Sequence, residues 1–128
     1  MIAFTSSFGS YTVDDVEAAT EFYTNTLGLE VNALADHGPL FVNGPNGHST
    51  FLYFKPDHKP ADFTVLNLVV QDIDRAADEL AERGIEFLHY ENIEADQRGI
   101  AREPGHSVAW FQDPAGNVLS VAQIAGLE

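Results

Sequence analysis

Two stretches of this 128-residue chain say nearly the same thing 57 positions apart. Val13-Asp14-Asp15-Val16-Glu17-Ala18-Ala19 is answered by Val70-Gln71-Asp72-Ile73-Asp74-Arg75-Ala76. A repeat of this kind constrains a fold more than composition does, because each copy must form the same supersecondary unit and find something to bury it against. Beyond each valine the pattern turns helical. Val16, Ala19 and Tyr23 recur at i, i+3 and i+7, and Ile73, Ala76, Ala77, Leu80 and Ala81 at i, i+3, i+4, i+7 and i+8. These are the apolar stripes of amphipathic helices. Asp15 and Asp72 stand where an N-cap carboxylate can accept the orphan backbone N–H groups of the first turn. Gly28 and Gly84 stand where a left-handed residue ends a helix. Helices are therefore expected over about 15–27 and 72–83.

Strand candidates flank both helices. Residues 63–70, Phe-Thr-Val-Leu-Asn-Leu-Val-Val, are rich in strand formers, and residues 4–13 are their more polar counterpart. After the helices, strands are expected at about 29–35, 40–43 and 50–55, and again at about 85–90, 107–112 and 117–123. Asn43-Gly44-Pro45-Asn46-Gly47 and Asp113-Pro114-Ala115-Gly116-Asn117 supply matching tight turns. Each half thus reads strand–helix–three strands. The fold class is α+β, one domain of two tandem βαβββ modules, the first over about 1–56, a proline-bearing linker over about 57–61, and the second over about 62–125. A half of about 60 residues is marginal alone, whereas two packed together make a workable core.

Composition narrows the function classes. The chain has no cysteine, so disulfides and thiolate metal sites are excluded. Its 20 acidic and 6 basic side chains give a net charge of −14, which repels nucleic acid and anionic membranes. The acids read first as solvated faces, and second as a bias toward a cationic ligand. The start lacks the basic and apolar regions of a signal peptide, and no run approaches the ~20 apolar residues of a membrane helix. The expected location is cytoplasmic, with neither nucleic-acid nor membrane partners.

Two motifs join the repeat. Phe22-Tyr23-Thr24-Asn25-Thr26-Leu27-Gly28-Leu29 closes the first helix, and Trp110-Phe111-Gln112-Asp113-Pro114-Ala115-Gly116-Asn117-Val118-Leu119-Ser120 carries a DPxGN turn into the last strand. In this order and separation they resemble the vicinal oxygen chelate superfamily, the glyoxalase, bleomycin-resistance and extradiol-dioxygenase group. The resemblance covers essentially the whole chain. It implies a cup-shaped mixed sheet with the ligand in the cup, and a homodimer in a closed-cup or module-swapped arrangement.

The family's enzymes hold a divalent metal with His, Gln and Glu side chains facing the cup, and the metal acts as a Lewis acid on vicinal substrate oxygens. Counted from the motifs, those places fall on Phe8, Val65, Ser120 and, within a residue, Phe51. Slipping the register by one does not help, since residues 7–9, 64–66 and 119–121 contain no His, Glu or Asp. His37, His48, His58, His89 and His106 fall in or near loops, and no spacing links His89 or His106 with Asp96. The expectation is no metal and no other cofactor.

Strand alternation sorts what would line the cup instead. With Val65 facing it, so do Phe63, Asn67 and Val69, while Leu66, Leu68 and Val70 pack on the helix. Ser6 and Ser10 go with Phe8, Tyr53 and Lys55 with Phe51, and Val118 and Ala122 with Ser120. Trp110, one strand over, is either a stacking platform or plain core. The long polar segment from Glu91 to Gly105 is a candidate lid that would bring Tyr90, Asp96 or Arg102 to the cup. The expected ligand-binding set is Phe8, Phe51, Tyr53, Lys55, Val65, Asn67, Tyr90, Trp110 and Ser120, suited to a small organic ligand, aromatic or cationic.

Three functions fit these residues. The first is a binding module that sequesters or senses a small molecule. The second is an enzyme, a lyase, isomerase or dioxygenase, with an unrecognised metal site or metal-free acid–base chemistry from Tyr53, Lys55, Tyr90 or Asp96. The third is an auxiliary protein with a vestigial cup.

Overall fold

Asp15 and Asp72 cap the two helices as their positions require. Each carboxylate accepts the backbone N–H three residues on, from Ala18 at 3.0 Å and from Arg75 at 3.2 Å. The computed structural model describes residues 1–36 and 38–128. The chain divides into two compact units, Met1–Lys59 and Pro60–Glu128.

The first unit runs β1 (Gly9–Val13), α1 (Val16–Glu21), a π-helical turn (Phe22–Thr26), β2 (Glu30–Ala33), β3 (Leu40–Asn43) and β4 (Ser49–Phe54). The second runs β5 (Thr64–Val69), α2 (Ile73–Glu82), β6 (Ala101–Glu103), β7 (His106–Gln112) and β8 (Val118–Ile124). Their sheets have equivalent orders, β1-β4-β3-β2 and β5-β8-β7-β6. In each the first strand pairs parallel with the last, and the remaining pairs are antiparallel. A crossover helix is what a parallel first-and-last pair demands, and α1 and α2 supply it. The α+β class and the doubled strand–helix–three-strand order are as the repeat predicts.

Local chemistry ends both helices. Gly28 and Gly84 take φ of +71° and +92°, a conformation that costs glycine least. Leu29 N–H then bonds Tyr23 C=O at 2.9 Å, and Ile85 N–H bonds Leu80 C=O at 3.0 Å. The first helix is not α-helical over its expected length. It widens at Phe22, and Leu27 N–H reaches back five residues to Phe22 C=O at 3.0 Å. Phe22 and Tyr23 are both buried in this turn.

The helix side of each sheet carries the core, and in β8 residues 118–122 are buried on both faces. In the first unit Tyr11, Val13, Leu40, Val42 and Leu52 are buried together with Ala19, Phe22 and Tyr23 of the helix. The Tyr11 and Tyr23 hydroxyls meet at 2.7 Å inside it, so neither polar tip is stranded. In the second, Leu66, Ala109, Phe111, Leu119 and Val121 are buried with Ile73, Ala77 and Leu80 of α2. The last hairpin is built by Asp113, whose carboxylate accepts the N–H groups of Ala115 (3.0 Å) and Asn117 (2.9 Å) and the Asn117 side-chain amide (3.2 Å). Gly116 follows at φ +84°, and a Cβ there would sit 3.2 Å from Pro60 Cβ. The DPxGN turn thus owes its residues to hydrogen bonding, backbone handedness and lack of room.

Two strand expectations need correction. The first strand starts at Gly9, not Phe4, and Phe4 is exposed. Residues 85–90 form no strand: their ladder to β7 is a single bond, Leu88 N–H to Trp110 C=O at 2.8 Å. The first half of the β7 edge is taken by β6, which pairs through Ala101–Val108, Arg102–Ser107 and Glu103–His106. A hairpin partner two residues away closes at far lower entropy cost than one separated by a long loop. Among the described residues no helix is long and apolar enough to cross a membrane.

Candidate ligand-binding faces

The helix-free face of the first sheet is aromatic. Strand register sets Ser10, Phe51 and Phe41 in one row, with Thr12 opposite Tyr53 in the next. Phe8 lies just before β1, edge-on to Phe41 at 5.2 Å and 5.9 Å from Phe51. Phe41 and Phe51 are 5.2 Å apart, and Phe51 and Tyr53 5.8 Å. These spacings are those of favourable ring pairs. Phe8 remains 56% exposed and Tyr53 39%, so the row is open rather than core. Phe8, Phe51 and Tyr53 were expected on one face. Phe41 was not, although the alternation Leu40-Phe41-Val42 carries the signal once β3 is paired with β4.

Polar groups border this row. Lys55 lies past the end of β4; its N–H bonds Val13 C=O at 3.1 Å and its ammonium is 3.4 Å from the exposed Asp57 carboxylate. His58, which reads as a loop histidine, folds back so that Nδ1 lies 2.6 Å from the Thr12 hydroxyl. It thereby joins the strand position beside Tyr53. His48 Nε2 is 3.4 Å from Thr50 Oγ1. His89 lies beside Gly99, and His106 opens β7 exposed to solvent. His37 lies outside the described residues.

On the second sheet Asn67, Ser120 and Trp110 share one cross-strand row. Ser120 is fully buried and donates to Asn67 Oδ1 at 2.6 Å. Trp110 is half-buried, and Tyr90 meets it edge-on at 5.4 Å. Val65 falls at a bulge in β5, where the register with β8 shifts between Thr64 and Leu66. Beyond the bulge the expected alternation holds: Asn67 and Val69 are exposed, Leu66 is buried and Leu68 half-buried.

The long connection after α2 behaves differently from the lid its length suggests. It brings Tyr90 to Trp110, but Arg102 turns to Asp74 of α2, and Asp96 to Arg102. Arg98 pairs with Asp74, and with Asp78 at 3.0 Å; Arg102 reaches Asp74 at 2.6 Å and Asp96 at 3.4 Å. Asp96 also accepts the N–H groups of Arg98 (2.9 Å) and Ile100 (3.0 Å). Gly99, at φ +93°, is packed against Phe87 and Leu88, with 3.1 Å from its would-be Cβ to Phe87 Cβ. Opposite charge on the first turns of the helix decided this docking.

Hydrogen bonds from Arg102 and Arg98 hold the Asp74 carboxyl below its ordinary value of 3.8. For Asp96, burial pushes upward, but the backbone N–H groups of Ile100 and Arg98 and the Arg102 side chain outweigh it, and the net direction is down. A carboxylate depressed in the folded state adds stability above its unfolded value that is lost as pH falls through the folded one. The loop is therefore expected to loosen only below about pH 3.8. Asp74→Asn should flatten that acid dependence, as read by hydrogen exchange at Gly99 and Ile100; an unchanged profile would show that the network does not hold the loop. These side chains are largely exposed, so the effect should also weaken with salt.

Phe8, Phe51, Val65 and Ser120, which the resemblance sets at the family's metal-holding places, do not fit a divalent ion. Three offer no donor atom, and the hydroxyl of the fourth is committed to Asn67. Among the described residues no three His, Cys, Asp or Glu side chains gather as a metal site.

Two parallel-closed βαβββ units with the DPxGN hairpin define a paired-module protein of the vicinal oxygen chelate class. The match to a family model over residues 5–121 makes the assignment definite: the chain belongs to the Glyoxalase/Bleomycin resistance protein/Dioxygenase superfamily. Among solved structures it is similar to TnmS3, an antibiotic-binding protein from Streptomyces sp. CB03234, at 28% identity and TM-score 0.66, covering 97% of this chain and 100% of that one. It is likewise similar to a superfamily member from Sphaerobacter thermophilus DSM 20745, at 28% identity and TM-score 0.68, over 93% and 98% of the two chains. A lactoylglutathione lyase from Agrobacterium tumefaciens shares the fold at 17% identity and TM-score 0.64, over 94% and 95%. No curated protein matches the chain.

Proposed function

We propose that this protein binds a small, flat organic molecule on its helix-free sheet faces, as a sequestering or sensing protein. The observation that carries this proposal is the open row Phe8–Phe41–Phe51–Tyr53, four rings linked by centroid distances of 5.2 to 5.9 Å. Packing drives residues of this kind inward, so a contiguous row left exposed at Phe8 and Tyr53 and only half-buried at Phe41 and Phe51 marks a surface kept for contact. Rings offer a planar ligand both area and directional stacking. The likeness to an antibiotic-binding protein supports the same class of ligand. The net charge of −14 favours a neutral or cationic molecule over an anionic one. A homodimer, implied by the family resemblance, belongs to this proposal.

A thermal-shift screen of planar aromatic compounds tests it. A ligand at about 100 times its Kd stabilises by about 2.7 kcal/mol, which for a domain of this size raises Tm by several degrees. No stabilising compound in a broad aromatic library would count against the proposal. So would a stoichiometric divalent metal, bound to the purified protein, whose chelation abolishes an activity.

A further inference from the structure

Ser120 and Asn67 form an arrangement with a direction. The serine is fully buried, and the only hydrogen-bond partner of its hydroxyl among the described residues is Asn67 Oδ1 at 2.6 Å. A buried hydroxyl must place its proton on an acceptor, and a carboxamide offers one only at its oxygen. That settles which way the amide faces. Its oxygen is turned down to the serine, and its two N–H donors are turned toward solvent, where Asn67 is exposed and no described residue accepts from them. On the far side of Ser120 in the same row stands Trp110, propped edge-on by Tyr90. Asn67 and Trp110 are two strands apart, about 10 Å between backbones. A two-ring aromatic molecule spans that distance with one end at the amide.

Resting on the proposal above, we infer that Ser120 is a positioning residue that fixes the Asn67 carboxamide, and that the ligand met on this face is a flat aromatic carrying a neutral oxygen acceptor such as a carbonyl. Donor-only chemistry at Asn67 selects an acceptor. The acidity of the chain disfavours a carboxylate in that role. Trp110 takes the ring.

The test uses the full chain and two probes of matched shape, 2-acetylnaphthalene and 2-ethylnaphthalene, followed by proton–nitrogen NMR titration. Trp110 is the chain's single tryptophan, so its indole signal needs no assignment by mutation. The acetyl compound should bind about three- to tenfold tighter, the range of one net hydrogen bond. It should move the Asn67 side-chain amide signal, while the ethyl compound moves the indole signal alone. In Asn67→Asp and in Ser120→Ala the preference should fall to about one, through loss of the acetyl compound's advantage. A merely structural serine would instead weaken both probes alike, and that result overturns the inference. Equal affinities in the unaltered protein also overturn it, and leave aromatic binding standing. If neither naphthalene binds, the inference falls, and the thermal-shift screen decides separately whether the broader proposal falls with it.

Discussion

Phe51→Ala is expected to lower the affinity for a planar aromatic ligand by about tenfold or more. Phe51 is the hub of the aromatic row: its ring is 5.2 Å from Phe41, 5.8 Å from Tyr53 and 5.9 Å from Phe8. Removing it takes away its own contact area and separates the outer rings. Burying a phenylalanine side chain is worth roughly 1.5–3 kcal/mol, and a well-placed ring pair about 0.5–1.5 kcal/mol more. Half of the first figure with one lost pair comes to roughly 1.25–3 kcal/mol, centred above the 1.4 kcal/mol of a tenfold change. Phe54→Ala is the control. Phe54 is on the same strand and equally hydrophobic, but its parity is that of Thr50 and Leu52, on the helix side. Calorimetric titration of a hit from the thermal screen should show a large loss for Phe51→Ala and little for Phe54→Ala. Comparable losses would mean that the two faces of β4 have been assigned the wrong roles.

Phe111→Ala should be the most damaging single truncation in the second unit, at about 3–5 kcal/mol. Phe111 is fully buried, pairs in register with Leu119, and lies edge-on to Phe87 at 6.1 Å. Its loss leaves a ring-sized void that the adjoining strands cannot collapse to fill. Domains are stable by only about 5–15 kcal/mol, so the variant would sit near its unfolding threshold. The damage should be largest at residues 85–90, which hold to the sheet through one backbone bond and the Phe87–Phe111 and Tyr90–Trp110 contacts. Urea unfolding measures the first effect, and hydrogen exchange at Leu88 the second. A loss below about 1 kcal/mol would place Phe111 outside the core.

How much of this was legible beforehand follows the range of the interactions. Asp15, Asp72, Gly28 and Gly84 mark the helix ends through bonds within about six residues, and each acts where its local pattern places it. The alternation in β4 and in most of β5 was readable because neighbouring side chains on a strand must point apart. Residues 85–90 misled for the same local reason. Their composition suits a strand, but β6 holds the edge of β7 over His106–Val108 and residues 85–90 reach β7 only through the Leu88–Trp110 bond. Phe41 was overlooked because its partnership with Phe51 exists only through the β3–β4 register. His58 was indistinguishable from any other loop histidine until the chain returned it to Thr12, 46 positions away.

The sequence by itself determined the doubled architecture, the helix ends, the family, and the lack of His, Gln and Glu at the expected metal positions. All of these are written in residue types at fixed spacings. Tertiary structure alone decided which aromatics assemble into one open row, which way the Asn67 amide faces, and that Asp96 and Arg102 serve the helix rather than the helix-free face. These are outcomes of competition among distant partners, settled by register, burial and charge once the strands are paired. A buried hydroxyl such as that of Ser120 acquires its direction only when the rest of the fold has removed every other acceptor.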